Sequence, residues 1–94
     1  MGLWNRLFGG KESAPHAAAA AVEYNGYRIR PTPFRAEGQF QTAGTIEKDF
    51  GAEVRQHSFI RAEKHASEDE AAHFAITKGR QIIDERGDRI FDAP

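Results

Sequence analysis

The segment that most constrains the fold is residues 67–87, which has the features of a single capped helix. Ser67 and Glu70 have the S-x-x-E spacing of a capping box, in which each side chain accepts a hydrogen bond from a free backbone N–H. Gly87 follows the cation Arg86 and can adopt the left-handed conformation that ends many helices. The sequence therefore predicts one helix over residues 67–87.

One face of this predicted helix is apolar and consists mostly of small side chains. At about 100° per residue, seven residues form one stripe: Ala71, Ala72, Ala75, Ile76, Gly79, Ile82 and Ile83. Small side chains allow a flat apolar partner to approach closely, so we expect a β-sheet against this face. Phe74 lies nearly opposite the stripe. It is predicted either to be a surface aromatic or to be covered by Ile90 and Phe91 or by the N-terminal segment.

Residues 22–61 alternate with the period of two that is typical of antiparallel strands. Three turn signals separate the strands: Asn25-Gly26, Glu37-Gly38 and Asp49-Phe50-Gly51. Asn-Gly is the preferred pair for a two-residue hairpin turn, and Pro31 and Pro33 interrupt the second strand. The long strands are predicted over residues 39–48 and 52–61. The predicted class is α+β: an antiparallel β-meander of three long strands plus a short N-terminal hairpin arm, packed on one C-terminal α-helix.

The alternation also predicts which side chains face the helix. The predicted inward set is Tyr27, Ile29, Phe40, Ile46, Val54 and Ile60, with Gly44 marking a place where the helix crosses closely. The predicted outward set is mostly basic: Arg28, Arg30, Arg55, His57 and Arg61. Phe34 and Phe59 are its predicted exposed aromatics, and Glu47 is its one predicted acid. Arginines interleaved with aromatics on a sheet can hold single-stranded nucleic acid. The alternative is a polar face that only keeps a half-exposed sheet soluble.

The N-terminal segment, residues 1–10, carries a second candidate interaction site. Its apolar side chains lie on one face of two helical turns: Leu3, Trp4, Leu7 and Phe8. Because so short a helix is marginal by itself in water, it needs a partner to be ordered. Residues 11–21 are interpreted as a flexible Ala-rich linker, and residues 22–94 as the single α+β domain.

Composition and motifs exclude several function classes. The chain has 94 residues, no cysteine and a formal net charge of -1, so there is no disulfide framework and no overall polycationic signal. No apolar run approaches the roughly 20 residues that span a bilayer. No catalytic motif and no metal-ligand spacing is present. We expect a cytoplasmic, non-enzymatic protein without cofactor or metal, which binds a protein partner or, with weaker support, nucleic acid.

Several stretches resemble a known family. They are the start MGLWNRLFGGK, the GQFQTAG run at residues 38–44, and the GRQIIDERGD run at residues 79–88. With the segments around them, they resemble the small bacterial HlyU family, which is described as transcriptional activators. The resemblance covers nearly the whole chain and implies a regulatory role, with no catalytic or ligand residues to carry over. No helix-turn-helix pattern precedes Ser67, so the chain does not resemble the winged-helix regulator of the same name. The alternative function is a protein-interaction adaptor that docks through its N-terminal segment and has no nucleic-acid role.

Overall fold

The computed structural model describes residues 20–92, which form one open sheet and one long helix. The elements are β1 (Val22–Tyr24), β2 (Tyr27–Pro31), β3 (Phe34–Ala36), β4 (Gln39–Phe50), β5 (Glu53–His65), α1 (Glu68–Arg86) and a 3-10 helix (Gly87–Phe91). All strand pairs are antiparallel. The predicted α+β class is confirmed. The predicted segment at residues 1–10 and residues 11–19 of the predicted linker, 11–21, lie outside the described residues.

The long strand β4 is the centre of the sheet. β5 pairs along one edge of β4, whereas β2 and β3 lie one after the other along its opposite edge, and β1 continues beyond β2. The break between β2 and β3 falls at the two prolines, as predicted, because proline has no N–H to give to a ladder. The backbone N–H of Thr32, between those prolines, still donates to the carbonyl of Ala43 at 2.9 Å.

The turn at Asn25-Gly26 has the left-handed backbone that its residues predict, and the predicted turn at Glu37-Gly38 has the same backbone. Asn25 and Gly26 have φ of 52° and 87°, and Glu37 and Gly38 have φ of 56° and 78°. Positive φ at both central residues is the signature of type I′ turns, whose twist matches that of the flanking strands. The third turn is shorter than predicted: β4 and β5 remain paired up to Phe50 and Glu53. As a result, β4 runs two residues past its predicted end, to Phe50. β5 begins at Glu53 and runs four residues past its predicted end, to His65.

The predicted helix is confirmed, together with the Ser67 half of its capping box and the glycine that ends it. The Ser67 side chain accepts a hydrogen bond from the backbone N–H of Glu70 at 3.1 Å, and Gly87 ends the helix with φ of 57°. The buried residues of α1 are Ala71, Ala72, Ala75, Gly79, Ile82 and Ile83. Ile76 is half-buried. The small-residue stripe therefore faces the sheet, as its composition indicates.

Gly79 is the point of closest approach between helix and sheet. A Cβ atom at Gly79 would lie 2.7 Å from Cγ2 of Ile29, a β2 residue with no exposed surface. The glycine thus accommodates the isoleucine side chain. Gly44 has a different neighbour from the one predicted. A Cβ there would lie 2.7 Å from Cζ of Phe59, so the space above Gly44 holds the Phe59 ring and not the helix.

The face assignment of β5 is the main correction to the sequence prediction. Phe59 is only 8% exposed and belongs to the core cluster, whereas Val54 and Ile60 are 52% and 64% exposed. Phe59 pairs with Gly44, whose missing side chain leaves room for the aromatic ring. The odd-numbered residues of β5 around Phe59 therefore face α1, and Val54 and Ile60 lie on the opposite face.

The end of the chain is anchored on the core, as the pair Ile90-Phe91 predicts. Ile90 is buried, and the Phe91 ring stacks on Tyr27 with ring centroids 6.2 Å apart. Asp88 accepts hydrogen bonds from the Tyr27 hydroxyl and from Nζ of Lys48, and these two bonds lower the pKa of Asp88.

Phe74 is covered, but by a residue outside the two predicted alternatives. The ring of His65, at the end of β5, lies 5.1 Å from the Phe74 ring between centroids. The Lys78 ammonium group lies 5.1 Å from the centroid of the same ring. The strand end thus packs over the side of α1 that the apolar stripe leaves free, because β5 extends to His65, beyond its predicted end.

Candidate functional site

The open face, as we name it here, is the side of the sheet opposite α1. Its centre consists of two cross-strand rows, and the strand register puts these six side chains side by side: Arg28, Glu47 and Gln56 in one row, and Arg30, Thr45 and Ser58 in the other. Side chains that lie opposite each other on one face of a sheet interact directly. The centre of the open face is therefore polar.

The two arginines of the open face are paired with acids. Nε of Arg28 lies 3.2 Å from Oε1 of Glu47, and its Nη2 lies 3.1 Å from Oδ1 of Asp49. Arg30 approaches Glu47 at 3.7 Å. Hydrogen bonds to Asp49 and Glu47 raise the pKa of Arg28. Because two acids offset two bases, the predicted positive charge is cancelled at the centre of this face.

Glu47 organises the polar rows. Its side chain is 12% exposed, and its second carboxylate oxygen accepts a hydrogen bond from Nε2 of Gln56 at 3.2 Å. In the next row, the hydroxyls of Thr45 and Ser58 lie 3.3 Å apart. These contacts link β2, β4 and β5 across the open face, so that its centre is a hydrogen-bonded network.

The structure does not bring the six predicted sheet residues onto one face. Arg28 and Arg30 lie on the open face, whereas His57 and Phe59 face α1. The Arg55 guanidinium group lies 5.3 Å from the ring centroid of Phe50 and pairs with Glu53 at 3.5 Å. The predicted face is therefore wrong for Arg55, His57 and Phe59, which lie on the same side of the sheet as α1.

Arg61 belongs to an irregular part of the sheet. The pairing of β4 with β5 shifts register between Gln41 and Ala43, opposite the residues that follow Ile60. The backbone carbonyl of Arg61 accepts a hydrogen bond from the side-chain amide of Gln41 at 3.0 Å. Its side chain is exposed, and within residues 20–92 no acidic side chain pairs with it.

His57 lies between β5 and the end of the chain. Burial lowers the pKa of its ring, the nearby charge of Arg86 lowers it further, and contact with the backbone of Ile90 opposes both effects. A neutral ring is therefore the form that the folded protein favours. This residue contributes to the packing under the sheet and is not an exposed binding group.

Lowering the pH is expected to reduce the stability of the fold, because His57 becomes protonated. Its pKa lies below the ordinary value of 6.5, so the unfolded chain binds this proton first as the pH falls. The stability that depends on the neutral ring is complete above about pH 6.5 and is lost as the pH falls towards the lowered value. Urea midpoints measured from about pH 7.5 to about pH 5 should fall for the wild type, and less for His57→Gln.

The matched control for this experiment is His73→Gln, which changes a histidine on the exposed side of α1. We expect its urea midpoint to follow the wild-type pH dependence. A wild-type slope in His57→Gln, or a flattened slope in His73→Gln, would contradict the placement of the titrating ring under the sheet.

Exposed apolar side chains flank the polar centre of the open face. Ile60 lies opposite Ala43, and Phe34 lies opposite Gln41, so both occupy the same end of this face. Phe34 is 43% exposed, and Ala43 between them is buried. Val54 lies towards the other end, opposite Asp49. Sequence reasoning missed this combination because it assigned Val54 and Ile60 to the core.

A groove of about 540 Å³ lies between β1 and α1. Its lining is half apolar and half polar: Ala20, Val22, Asp69, Ala72, His73, Ile76, Thr77 and Arg80. Arg80 is already engaged, since its guanidinium group lies 5.5 Å from the Tyr24 ring centroid. Sequence reasoning did not identify this groove, because strand β1 and the side of α1 are far apart in the chain.

Other site types receive no support from the described residues. Residues 20–92 contain no group of three or more acids or histidines that could hold a metal ion. Over the same range, no helix is long and apolar enough to span a membrane. The N-terminal candidate residues Leu3, Trp4, Leu7 and Phe8 lie outside the described part, so their docking role remains a prediction.

Comparison with known proteins gives one match. Residues 2–91 match the family described as "Transcriptional activator HlyU". The chain belongs to the HlyU family. The match covers nearly the full length, as the sequence resemblance implies, and includes both β4 and α1. No curated protein and no solved structure matches the chain significantly. For the HlyU family, the description indicates a role in transcriptional regulation and specifies no residue of a binding site.

Proposed function

We propose that this HlyU-family protein is a non-enzymatic, cytoplasmic regulator of transcription that acts by binding a protein partner through the open face. The observation that carries the proposal is the charge of this face. Arg28 and Arg30 are paired with Glu47 and Asp49, while Phe34 and Ile60 are exposed beside them. A neutral polar surface with exposed apolar side chains is typical of protein interfaces.

The same observation argues against a nucleic-acid platform on this face. Binding to phosphates depends on lysine and arginine side chains that neutralise them and release counterions. Arg28 would have to exchange two carboxylate partners for a phosphate, and Glu47 would then be left facing the nucleic acid. Phe59, the predicted stacking ring, is in the core. The protein-partner hypothesis requires no such rearrangement.

The test compares variants of this protein, each expressed in cells from which its own chromosomal gene has been deleted. Phe34→Glu puts a charge into the exposed apolar end without touching the core, so we expect it to abolish the transcript changes that the wild-type gene restores. Arg28→Gln with Glu47→Gln removes one charge of each sign, so the open face stays neutral and polar. We expect this double variant to restore those changes like the wild type. Transcript profiling is the readout, with circular dichroism confirming that each variant folds.

Thr77→Glu is the control for Phe34→Glu, because it adds the same charge on the exposed side of α1. A parallel titration measures the anisotropy of labelled single- and double-stranded DNA, where we expect no binding tighter than about 10⁻⁴ M at physiological salt. Full activity of Phe34→Glu together with loss of activity in the Arg28→Gln and Glu47→Gln double variant would overturn the proposal and favour nucleic-acid binding.

A further inference from the structure

The outer edge of β5 is the longest unpaired backbone edge in the described part of the protein. β5 has 13 residues and pairs with β4 on one side only. Among residues 20–92, no strand pairs with its other side. Such an edge offers a row of backbone N–H and C=O groups to another strand.

The usable part of this edge is regular and centred on His57. Pairing with β4 runs without interruption from Glu53 to Ile60, and the register shift follows after that point. Residues 54–60 therefore form an even, extended stretch with three residues on each side of His57. The exposed apolar residues Val54 and Ile60 stand at its two ends.

We propose that β5 pairs antiparallel with β5 of a second copy, about a twofold axis at His57. In this register each Val54 lies opposite Ile60 of the second copy, so both exposed apolar side chains gain an apolar neighbour. Glu53 lies opposite Arg61 of the second copy, which forms an ion pair on each side of the axis. Opposite-charge and apolar pairs directly across two strands are stabilising.

The neighbouring registers are less complementary. An axis at Ser58 puts Arg55 opposite Arg61 of the second copy, which is a repulsive pair. An axis at Phe59 pairs Arg55 with Glu63, but it puts Val54 opposite Lys64 and leaves Ile60 opposite Ser58, so neither exposed apolar residue gains an apolar neighbour. Only the axis at His57 pairs the two exposed apolar residues with each other. The contact is closed and self-complementary, as a twofold dimer requires, and it gives each β5 edge a partner.

Position-specific cross-linking tests this register, because the natural chain has no cysteine. Full-length Val54→Cys and Ile60→Cys are purified separately, then oxidised alone and as a mixture. The proposed pairing puts the two sulfurs within disulfide range in the mixed dimer. In each single variant, the two cysteines lie about 20 Å apart. We expect cross-linking to be at least about 10-fold faster in the mixture.

Charge exchange followed by sedimentation equilibrium is the second test. Glu53→Arg and Arg61→Glu should each weaken dimerisation at least about 10-fold. A variant that carries both substitutions should dimerise like the wild type again. Glu63→Arg is the matched control, because in the proposed register Glu63 lies opposite Gly51 of the second copy and has no cation to pair with there. Loss of the dimer in Glu63→Arg, but not in Glu53→Arg, would indicate the Phe59 axis and overturn the proposed register.

A wild-type protein that stays monomeric at about 100 µM would overturn the dimer itself. So would a dimer in which the mixed cysteine variants cross-link no faster than each variant alone. These outcomes concern self-association, and they are independent of the transcript and DNA measurements that test the proposed function.

Discussion

Phe59→Ala is expected to lower the free energy of unfolding by about 3–5 kcal/mol, the usual cost of removing a buried aromatic side chain. Phe59 is 8% exposed, and its ring fills the space above Gly44 in the core between the sheet and α1. Its loss leaves a cavity that the rigid β4–β5 ladder cannot close. Urea denaturation followed by circular dichroism measures the change.

A domain of this size has little stability to lose, so Phe59→Leu provides a milder version of the same test. The matched control is the neighbouring Ile60→Thr, which keeps β-branching on a residue that is 64% exposed. At low protein concentration we expect Ile60→Thr to cost about 0.5 kcal/mol or less. A larger cost for Ile60→Thr than for Phe59→Leu would contradict the face assignment of β5.

Gly79→Ala is expected to destabilise the protein by about 1–3 kcal/mol, although alanine is the better helix former. The added Cβ atom would lie 2.7 Å from Cγ2 of Ile29 and 3.1 Å from its Cδ1. Ile29 is fully buried, so it has no free space into which it can move. The helix must shift away from the sheet, which weakens the contacts along the whole small-residue stripe. Thermal and urea denaturation give the magnitude.

A double-mutant cycle assigns this effect to the contact. Ile29→Ala removes Cγ2, Cδ1 and Cγ1, the three atoms nearest to the new methyl group. The double variant should therefore lose at least about 0.5 kcal/mol less stability than the sum of the single variants. Thr77→Ala introduces alanine on the exposed side of the same helix, and we expect it to leave stability unchanged or slightly increased. Strict additivity in the cycle would contradict the close approach of Gly79 to Ile29.

The elements with strong local signals could be predicted from the sequence. The turns at Asn25-Gly26 and Glu37-Gly38 form where the sequence predicts them, each with a glycine at a position of positive φ. Helix α1 begins and ends where its capping residues predict, and its stripe of small residues is buried. In each case the cause lies within a few residues of the effect. The α+β class followed from these elements.

The face assignment of β5 could not be predicted in the same way. Both sets of alternate residues contain apolar side chains, with Val54 and Ile60 in one set and Phe59 in the other. The choice depends on the opposite strand, where Gly44 leaves room for one ring. It also depends on the 3-10 helix, which covers His57 at Ile90. A period of two identifies the two faces of a strand but not the buried one.

The net charge of the open face likewise depends on the tertiary structure. The sequence by itself determined that Arg28 and Arg30 share a face, because they are two residues apart on one strand. Only the register between β2 and β4 brought Glu47 and Asp49 within 3.1–3.7 Å of them. Local signals thus determined the elements and their caps. Burial and charge pairing were decided by strand contacts distant in sequence, because the groups that fill a space or cancel a charge come from other elements.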